Sequence, residues 1–507
     1  MADAASEYLL PGEKDIVDQT EAEHVETEHL LAMSVAVMIS LNIISLGIGQ
    51  WLHSKHIFWF PECGATIVVG FIAGWYVSTH LPPHTTREET HLYFDPTFFT
   101  LFLLPPIIFE AGYSLNLKLF IRNLDKITGL AVFGTLISTA ITWFALYTNH
   151  TDWLIDLGFS ESGQFAALIS AVDPVATISL FATLEVDPSL NNMVVGESVL
   201  NDAVALISFR AITHYGVNFK NEVESILLSF VMTGVGSAVV GLGIGVLGAF
   251  SLKAMGMGRR GDLPHIECTV FYAFAYASYV CAELPENSGI VAAMFAGMTM
   301  RAFARPNLSN KARVYVDVLL KVLVTITDNI IYLLVGFALT LEIPYVLRPD
   351  LPGTTLMLKQ SVYAFLYTFL LCLVSRACHL FPILGICNLW SDPDHRVPFS
   401  YQFVAWFSGL RGAIAVCLSY QVVGPNAHVI RASTMFIVVG TTFLFGGSTK
   451  SLLDLFKIPQ GIKEEDSDAP VAPPADGKKS MYWIVRDVLV DERSDRFEEL
   501  KDDAHEA

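Results

Sequence analysis

The composition excludes an ordinary soluble protein. Of the 507 residues, 53% are apolar and only 16% are charged, whereas soluble proteins carry about 25% charged residues. The net charge of −19 lies mostly at the ends: residues 1–29 hold nine acids and one lysine (−8), residues 463–507 hold fourteen acids and seven bases (−7), and the other 433 residues carry only −4. A nearly neutral apolar body between acidic tails indicates a membrane protein without a nucleic-acid partner.

Thirteen apolar stretches follow one another along the chain, and all but the ninth approach the length of about 20 residues that spans a membrane as a helix. The ninth is short, and the alternative is that it forms one span with the eighth. The stretches predict an all-α polytopic membrane protein with thirteen transmembrane helices, numbered here as spans one to thirteen: 30–51, 57–79, 97–115, 126–147, 163–183, 191–214, 226–250, 266–283, 288–300, 318–340, 359–382, 400–422 and 430–449. We therefore divide the chain into an acidic N-terminal tail (1–29), a transmembrane domain (30–455) and a short acidic tail (456–507). The first apolar stretch, and not a cleavable signal peptide, is expected to direct the chain to the membrane.

Lysine and arginine residues in the short loops predict the orientation, because cytoplasmic loops carry an excess of both. With the N-terminus outside the cytosol, the inside loops hold twelve of them: Lys55, Lys118, Arg122, Lys126, Lys253, Arg259, Arg260, Arg301, Arg305, Lys311, Arg313 and Arg396. The outside loops hold four: Arg87, Lys220, Arg348 and Arg431. This bias places the C-terminal tail in the cytoplasm and the N-terminal tail in the extracellular space or an organelle lumen. The sequon Asn149-His150-Thr151 then falls in an outside loop, which makes Asn149 a candidate glycosylation site.

Two spans are interrupted at corresponding places. Span five contains Asp173-Pro174 and span twelve contains Gly409-Leu410-Arg411-Gly412, and proline and glycine both weaken a helix. When the chain is divided into six spans, a linker and six spans, these interruptions occupy matching positions. Paired interrupted segments are typical of inverted-repeat transporters and mark their binding sites. We therefore predict two inverted six-helix repeats with broken helices at spans five and twelve.

Span six carries an acid deep within an apolar segment. Asp202 follows Asn201 in the run from Met193 to Ile207, and an acid at membrane depth usually faces a partner or a water-filled pathway. Ser198 lies one helical turn before Asp202, so the two offer oxygen ligands to a small cation. Burial favours the protonated carboxyl group, whereas a bound Na⁺ or K⁺ favours the charged form. Exclusion of one ion by the other is the minimum chemistry of an antiporter; the alternative is an Asp202 that caps or pairs structurally.

Asp173 has two interpretations. It either coordinates the ion or caps a half-helix and neutralises the facing helix ends. Pro174 supports both, because it keeps Asp173 away from helical backbone angles and frees nearby carbonyl groups. We expect the hydroxyl group of Thr177 to bond to its own backbone and not to an ion.

Two arginines within the membrane segments need partners, because an unpaired buried guanidinium group is costly. Arg376 lies in span eleven and Arg411 in span twelve, and the available acids are Glu197 in span six and Asp328 in span ten. We predict a Glu197–Arg376 ion pair beside the ion site, with Asp328 as the alternative partner of Arg376. Arg411 is assigned to the C-terminal ends of the broken helices.

Glu110 follows two prolines in span three. Pro105 and Pro106 free backbone carbonyl groups, which is one way to open an access path to an ion cavity. The other interpretation is a kinked helix with Glu110 near a membrane interface.

These motifs together resemble those of the eukaryotic sodium/proton exchangers of the monovalent cation/proton antiporter superfamily. The resemblance extends over residues 95–455 and rests on five segments: LLPPIIFEAGYSL (103–115), SAVDPVAT (170–177), GESVLNDA (196–203), WFSGLRGAI (406–414) and GGST (446–449). The segments AVFGT (131–135) and DPVAT (173–177) are most similar to the branch of the Golgi, endosomes and epithelial surfaces.

The resemblance implies an electroneutral Na⁺/H⁺ antiporter, with K⁺ or Li⁺ as candidate substitutes for Na⁺. It implies a homodimer in the lipid of the plasma membrane or of Golgi and endosomal membranes, with crossed broken helices and elevator-type alternating access. Asp202 would bind Na⁺ or H⁺ in turn, the Asn201-Asp202 pair would accompany one-for-one exchange, and Glu197 with Arg376 matches the family's intramembrane ion pair. Many relatives have Glu at the position of Asp328, so that no role is carried over to this residue.

Relatives also have long cytoplasmic tails that bind a calcineurin-B-like protein. Here a helix over residues 481–489, after a Pro-Ala linker at 469–475, is the candidate contact. The alternatives to an antiporter are a cation channel and a transporter-like sensor or scaffold without turnover. No enzyme activity and no cofactor are predicted. The seven cysteines form no CxxC pair and the histidines have no ligand-like spacing, which argues against a disulfide framework or a metal site.

Overall fold

The computed structural model describes residues 35–80, 98–115, 117–149, 156–173, 175–215, 223–256, 263–285, 287–347, 354–391, 396–462 and 488–489. Within these ranges the chain is helical and has no β-strand. Sixteen helices lie in the described ranges, with these bounds: α1 Val35–Ser54, α2 Glu62–His80, α3 Phe99–Ser114, α4 Leu117–Arg122, α5 Leu124–Thr148, α6 Phe159–Ser170, α7 Val175–Leu184, α8 Pro188–Tyr215, α9 Val223–Met255, α10 Pro264–Glu283, α11 Gly289–Thr299, α12 Asn310–Leu347, α13 Thr354–Trp390, α14 Phe399–Phe407, α15 Ala413–Tyr420 and α16 Ala427–Leu455.

Every predicted apolar stretch overlaps a helix, or two helices where a break was expected. Six helices of the described ranges are long and apolar enough to cross a membrane, and they belong to α1, α5, α9, α12, α13 and α16. Two shorter apolar helices, Glu62–Val77 and Phe99–Ser114, fall below that length. The all-α architecture is thus confirmed, while the count of thirteen spans stays a prediction.

The two prolines of span three begin an α-helical segment and do not interrupt one. Residues Phe99–Leu103 form a π-helical turn, and the α-helical segment starts at Leu104 with Pro105 and Pro106 in its first turn. A proline is tolerated at that position, because the N–H group it lacks would have no partner within the helix. The change from π to α geometry therefore coincides with the prolines.

The helices pack as two groups. The scaffold group is made of α1, α2, α3, α9, α10, α11 and α12, with extensive contacts between α2 and α12, between α3 and α11, and between α9 and α11. The site group is made of α5, α6, α7, α8 and α13 to α16, in which α6 packs on α5 and α8. The last three spans of each predicted half, four to six and eleven to thirteen, therefore come together in the site group.

The chain that leaves α16 remains attached to the site group. Backbone N–H groups of Gly461 and Ile462 donate hydrogen bonds of 3.1 and 3.0 Å to the carbonyl oxygens of Leu184 and Glu185, at the end of α7. The first residues of the predicted C-terminal tail thus satisfy carbonyl groups that a helix end leaves without partners. Of the predicted helix 481–489, only 488–489 lie within the described residues. There, Lys253 Nζ donates a 2.6 Å hydrogen bond to the carbonyl oxygen of Val488.

Candidate ion-binding site

The interruptions of spans five and twelve meet in the interior of the site group. Helix α6 ends at Ser170 and α7 begins at Val175, while α14 ends at Phe407 and α15 begins at Ala413. The backbone N–H of Asp173 donates a 3.0 Å hydrogen bond to the carbonyl oxygen of Leu410, so the two interruptions are directly joined. Pro174 lies outside the described residues.

The side chain of Asp173 reaches the N-terminus of the opposite half-helix. Its Oδ2 accepts a hydrogen bond of 3.4 Å from the backbone N–H of Ala413, the first residue of α15. The carboxylate lies so close to Gly412 that a Cβ atom at this glycine would collide with it. A carboxylate at a helix N-terminus accepts from free N–H groups and is stabilised by the helix dipole. This geometry is that of a cap supplied by another segment of the chain.

Arg411 makes the reciprocal connection from span twelve to span five. Its Nη1 donates to the carbonyl oxygens of Ser170 at 3.0 Å and Ala171 at 2.7 Å, at the C-terminal end of α6. Its backbone N–H donates to Thr441 Oγ1 at 3.1 Å. The guanidinium group is buried and supplies both positive charge and hydrogen bonds to carbonyl groups that α6 cannot satisfy itself.

Arg376 binds the end of the other first half-helix and pairs with Glu197. Its Nη1 and Nη2 lie 2.9 and 3.3 Å from the two carboxylate oxygens of Glu197, and both side chains are only 3% exposed. Its Nε and Nη2 also donate to the carbonyl oxygens of Trp406 at 3.1 Å and Ala405 at 2.7 Å, near the end of α14. Asp328 lies on α12 in the scaffold group and makes no ion pair with Arg376.

Span six places its polar residues against these interruptions. Asn201 Oδ1 accepts a 3.3 Å hydrogen bond from the backbone N–H of Val172, which ties α8 to the break in span five. Asp202 is 5% exposed and Ser198 is 7% exposed, so both are buried within the protein and do not face lipid. The bond of Asn201 thus brings Asp202 beside the interruption that contains Asp173 and whose carbonyl groups Arg411 binds.

Two buried oxygens near the first interruption have no hydrogen-bond partner. They are Asp202 Oδ1 and Thr177 Oγ1, among the residues that the structure describes. The expectation that Thr177 bonds to its own backbone is therefore wrong. A buried oxygen without a donor costs free energy, and a bound cation or proton would remove that cost. Carboxylate and hydroxyl oxygens are ligands that suit alkali and other hard cations.

A cavity of about 420 Å³ opens toward this region. It lies where α3 and α11 begin and where α8 and α15 end, and it is lined by Phe99, Thr100, Leu104, Leu206, Arg210, Ile290, Ile414, Cys417, Leu418 and Gln421. Leu206 is one helical turn from Asp202, and Ile414 adjoins the residue that Asp173 caps. The cavity thus borders the segments that carry Asp202 and the helix end capped by Asp173. By the charge bias of the loops, it opens toward the predicted outside face.

The remaining predicted residues lie away from the interruptions. Pro105 is buried, and Pro106 and Glu110 are partly buried on α3 in the scaffold group. None of these three residues lines the 420 Å³ cavity, although the neighbouring Leu104 does. Asn149 is partly buried directly after α5, and the other two residues of its sequon lie outside the described ranges. No three His, Cys, Asp or Glu side chains cluster as metal ligands in the described part of the chain.

Sequence reasoning missed an ion pair in the cavity. Arg210 Nη2 lies 3.3 Å from Glu283 Oε2, and Arg210 lines the cavity wall. The signal was present in the sequence, because Arg210 follows Asp202 by eight residues and therefore projects from nearly the same face of one helix. Both residues lie toward the ends of their spans, however, where a charged side chain does not by itself indicate a buried partner.

Comparison with known proteins agrees with this geometry. The family model described as sodium/hydrogen exchanger, transmembrane, matches residues 43–455. Sodium/hydrogen exchanger 5 of Arabidopsis thaliana is 30% identical over 473 residues, which cover 90% of this chain and 88% of the relative. Sodium/hydrogen exchanger 8 of Homo sapiens is 31% identical over 460 residues, covering 88% of this chain and 76% of the relative. An endosomal/prevacuolar sodium/hydrogen exchanger of Saccharomyces cerevisiae is 29% identical over 485 residues, covering 90% and 73%.

A solved structure shares the fold. The sodium proton antiporter MjNhaP1 of Methanocaldococcus jannaschii superposes with a TM-score of 0.62 over 84% of this chain and 99% of its own. The sequence identity of 16% is low, so this similarity concerns the architecture alone.

Proposed function

The chain belongs to the sodium/hydrogen exchanger family, and from this premise we propose that it exchanges one Na⁺ for one H⁺ at the single carboxylate of Asp202. The family resemblance found in the sequence is thereby confirmed, and the relatives support the eukaryotic endosomal and Golgi branch. K⁺ or Li⁺ would occupy the same site in place of Na⁺. The protein acts as a transporter in a membrane and not as an enzyme.

The observation that carries this proposal is the unpartnered, buried Oδ1 of Asp202, one helical turn from Leu206 in the wall of the 420 Å³ cavity. A carboxylate in such a place is stable when protonated or when it holds a cation, and these two conditions exclude each other. Ser198, Asn201 and Thr177 supply the nearby hydroxyl and amide oxygens. Asp173 acts through the helix cap that it provides and through its charge.

Alternating access by an elevator motion is supported by the packing of the helices. All the charged residues at the two interruptions belong to the site group, so that this group can carry the ion as one body past the scaffold group. The composition of the groups also supports two inverted repeats and thirteen spans, since each half contributes its last three spans to the site group. The hydrogen bond between Asp173 and Leu410 supports the proposal that the two broken helices cross.

The remaining assignments are part of the same proposal. A homodimer formed through the scaffold group would fit the exposed apolar side chains along α9, among them Val231, Val235, Val239 and Leu242. The N-terminus would lie in the lumen or outside the cell, with Asn149 available for glycosylation and the C-terminal tail available to a calcineurin-B-like protein. The relatives named above favour an endosomal or Golgi membrane over the plasma membrane.

Flux measurements on the purified protein in proteoliposomes test the proposal. An inward Na⁺ gradient should drive proton efflux without net current, and the same assay with K⁺ and Li⁺ ranks the cations. Asp202→Asn, which is nearly the same size, should abolish exchange while the protein remains folded. Retained exchange in that variant would refute the assigned carboxylate. A current in the wild type would indicate a channel, and the absence of any cation-dependent flux would indicate a sensor or scaffold.

The stoichiometry needs a second variant. Asn201→Asp adds an acid beside Asp202, so that exchange should become electrogenic if both acids take part. The measurement is the current across a planar membrane, with wild-type protein as the electroneutral control.

A further inference from the structure

Arg210 in the wall of the 420 Å³ cavity forms an ion pair with Glu283. We propose that the positive charge of Arg210 controls how readily cations enter the cavity, and that Glu283 neutralises this charge. This inference rests on the proposed function, because it assumes that the transported cation reaches Asp202 through this cavity. Neither residue binds the ion directly; both act on its path.

Arg210 stands on the route to the buried acid. Asp202, Leu206 and Arg210 are four residues apart and therefore form one stripe along α8. Leu206 and Arg210 both line the cavity wall. A cation that descends this wall toward Asp202 passes the guanidinium group first, about two helical turns before the carboxylate.

Glu283 holds the guanidinium group and is itself held in place. Its Oε2 lies 3.3 Å from Arg210 Nη2, while its Oε1 accepts a 3.0 Å hydrogen bond from the backbone N–H of Gly289, the first residue of α11. The side chains of Arg210 and Glu283 are 40% and 22% exposed. The pair therefore faces the water of the cavity, but a wall of protein limits the screening of its charges.

Among the residues that the structure describes, the rest of the cavity wall is uncharged. Its other polar side chains are Thr100, Cys417 and Gln421, and the remaining lining residues are apolar. With Glu283 ionised, the charges of the pair cancel at a distance. Without that carboxylate, Arg210 would be an isolated positive charge in a confined space that a cation must enter. Repulsion at separations of 6 to 10 Å in partly screened surroundings changes the local cation concentration by roughly three- to tenfold.

Exchange kinetics measured from each face of the membrane test the inference. Proteoliposomes of one orientation are selected by capturing a tag on the C-terminus, and the apparent KM for Na⁺ is measured with Na⁺ on either face. Glu283→Gln keeps an oxygen for the Gly289 N–H but removes the charge, and it should raise the KM roughly fivefold on the cavity face only. Arg210→Gln should lower the KM on that face, because Glu283 then attracts cations.

The double variant provides the matched control. Arg210→Gln with Glu283→Gln removes both charges, so its KM should return to within about twofold of wild type. Arg210→Lys keeps the charge and should also stay within about twofold. Added choline chloride, which screens charges, should shrink the differences among the variants. Throughout, kcat should change less than KM, because the site at Asp202 is untouched.

Three patterns of altered KM would overturn the inference. They are equal KM shifts on both faces, a raised KM in Arg210→Gln, and a double variant as impaired as Glu283→Gln; each would mean that the pair serves packing alone. The thermal unfolding of each variant is recorded, and a destabilised Glu283→Gln leaves Arg210→Gln and Arg210→Lys to decide between charge and packing. If wild-type protein shows no cation-driven proton flux, the proposed function fails. If flux is normal and the KM values are unchanged in every variant, the inference about Arg210 and Glu283 fails while the proposed function stands.

Discussion

The interruption in span five and the interruption in span twelve are built alike but end differently. In each, the first half-helix ends in carbonyl groups that an arginine binds: Arg411 at the end of α6 and Arg376 at the end of α14. Arg376 is paired with Glu197 by a two-point contact. Arg411 makes no ion pair with any described residue.

This difference separates a structural interruption from one suited to bind ions. At α14 the charges are already balanced, so a cation has little to gain there. At α6 the guanidinium of Arg411 has no ion pair among the described residues, and under the proposed function its charge would be balanced according to whether Asp202 and Asp173 carry a proton or a cation. The two breaks are thus similar in geometry, but the arginine at α14 is already paired by Glu197, whereas the arginine at α6 has no ion pair in the described part of the chain. Under the proposed function, the charges around α6 are the ones that a transported ion would balance.

Removal of Glu197 should have the largest effect on stability. Glu197→Gln leaves Arg376 as a buried charge without its carboxylate, which is expected to cost about 3–5 kcal/mol. The measurement is thermal or denaturant unfolding of the purified protein in detergent. A second substitution, Arg376→Gln, should recover part of the loss, because it removes the unpaired charge. Equal stability of Glu197→Gln and wild type would contradict the balanced-charge account of α14.

Removal of Arg411 should have a smaller effect on stability and a larger one on transport. Arg411→Gln deprives the carbonyl groups of Ser170 and Ala171 of their donor, which is expected to cost roughly 2–3 kcal/mol, but it breaks no ion pair among the described residues. Exchange should be lost, because the charge balance around Asp202 is changed. Arg396→Gln, at an exposed arginine, serves as the control and should unfold like wild type. An Arg411→Gln variant with normal exchange would show that the two interruptions are equivalent.

Removal of the cap at α15 should have the smallest effect. Asp173→Ala loses the hydrogen bond to the Ala413 N–H and should destabilise the protein by about 1 kcal/mol. Asp173→Asn retains an acceptor at the same place and should be nearly as stable as wild type. Comparing the exchange rates of these two variants separates the cap from the charge, since both lack the carboxylate. If Asn and Ala destabilise equally, Asp173 does not act as a cap.

The sequence predicted where the two interruptions lie, because a charged residue beside proline or glycine within an apolar segment has few interpretations other than a break in the helix. Asp173-Pro174 and the glycines around Arg411 mark chain that cannot remain helical, and the structure has its breaks at both. The partner of Arg376 could not be decided in this way, since Glu197 and Asp328 are both acids at membrane depth. The decision depends on which side chains meet across the helices: Glu197 on α8 lies 2.9 Å from Arg376 on α13, whereas Asp328 makes no such pair although its helix α12 packs directly on α13.

Contacts between distant segments were beyond sequence reasoning for the same reason. The open hydroxyl group of Thr177 and the Arg210–Glu283 pair follow from packing across helices. A threonine in a helix commonly bonds to the preceding turn, so that the local rule gave the wrong expectation for Thr177. The joining of Asp173 and Arg411 to each other's half-helices likewise requires that spans five and twelve cross, which the hydropathy pattern does not contain.

The hydrogen bonds from Gly461 and Ile462 to the end of α7 bear on how shortened forms of the protein should be prepared. Hydropathy alone suggests trimming at residue 455, where the last apolar stretch has ended. Such a cut would remove the donors of two carbonyl groups at the end of α7, the second half of span five. A truncation after residue 462 keeps these donors. Comparing proteins that end at residue 455 and at residue 462 would therefore separate the effect of losing the acidic tail from the effect of damaging the end of α7.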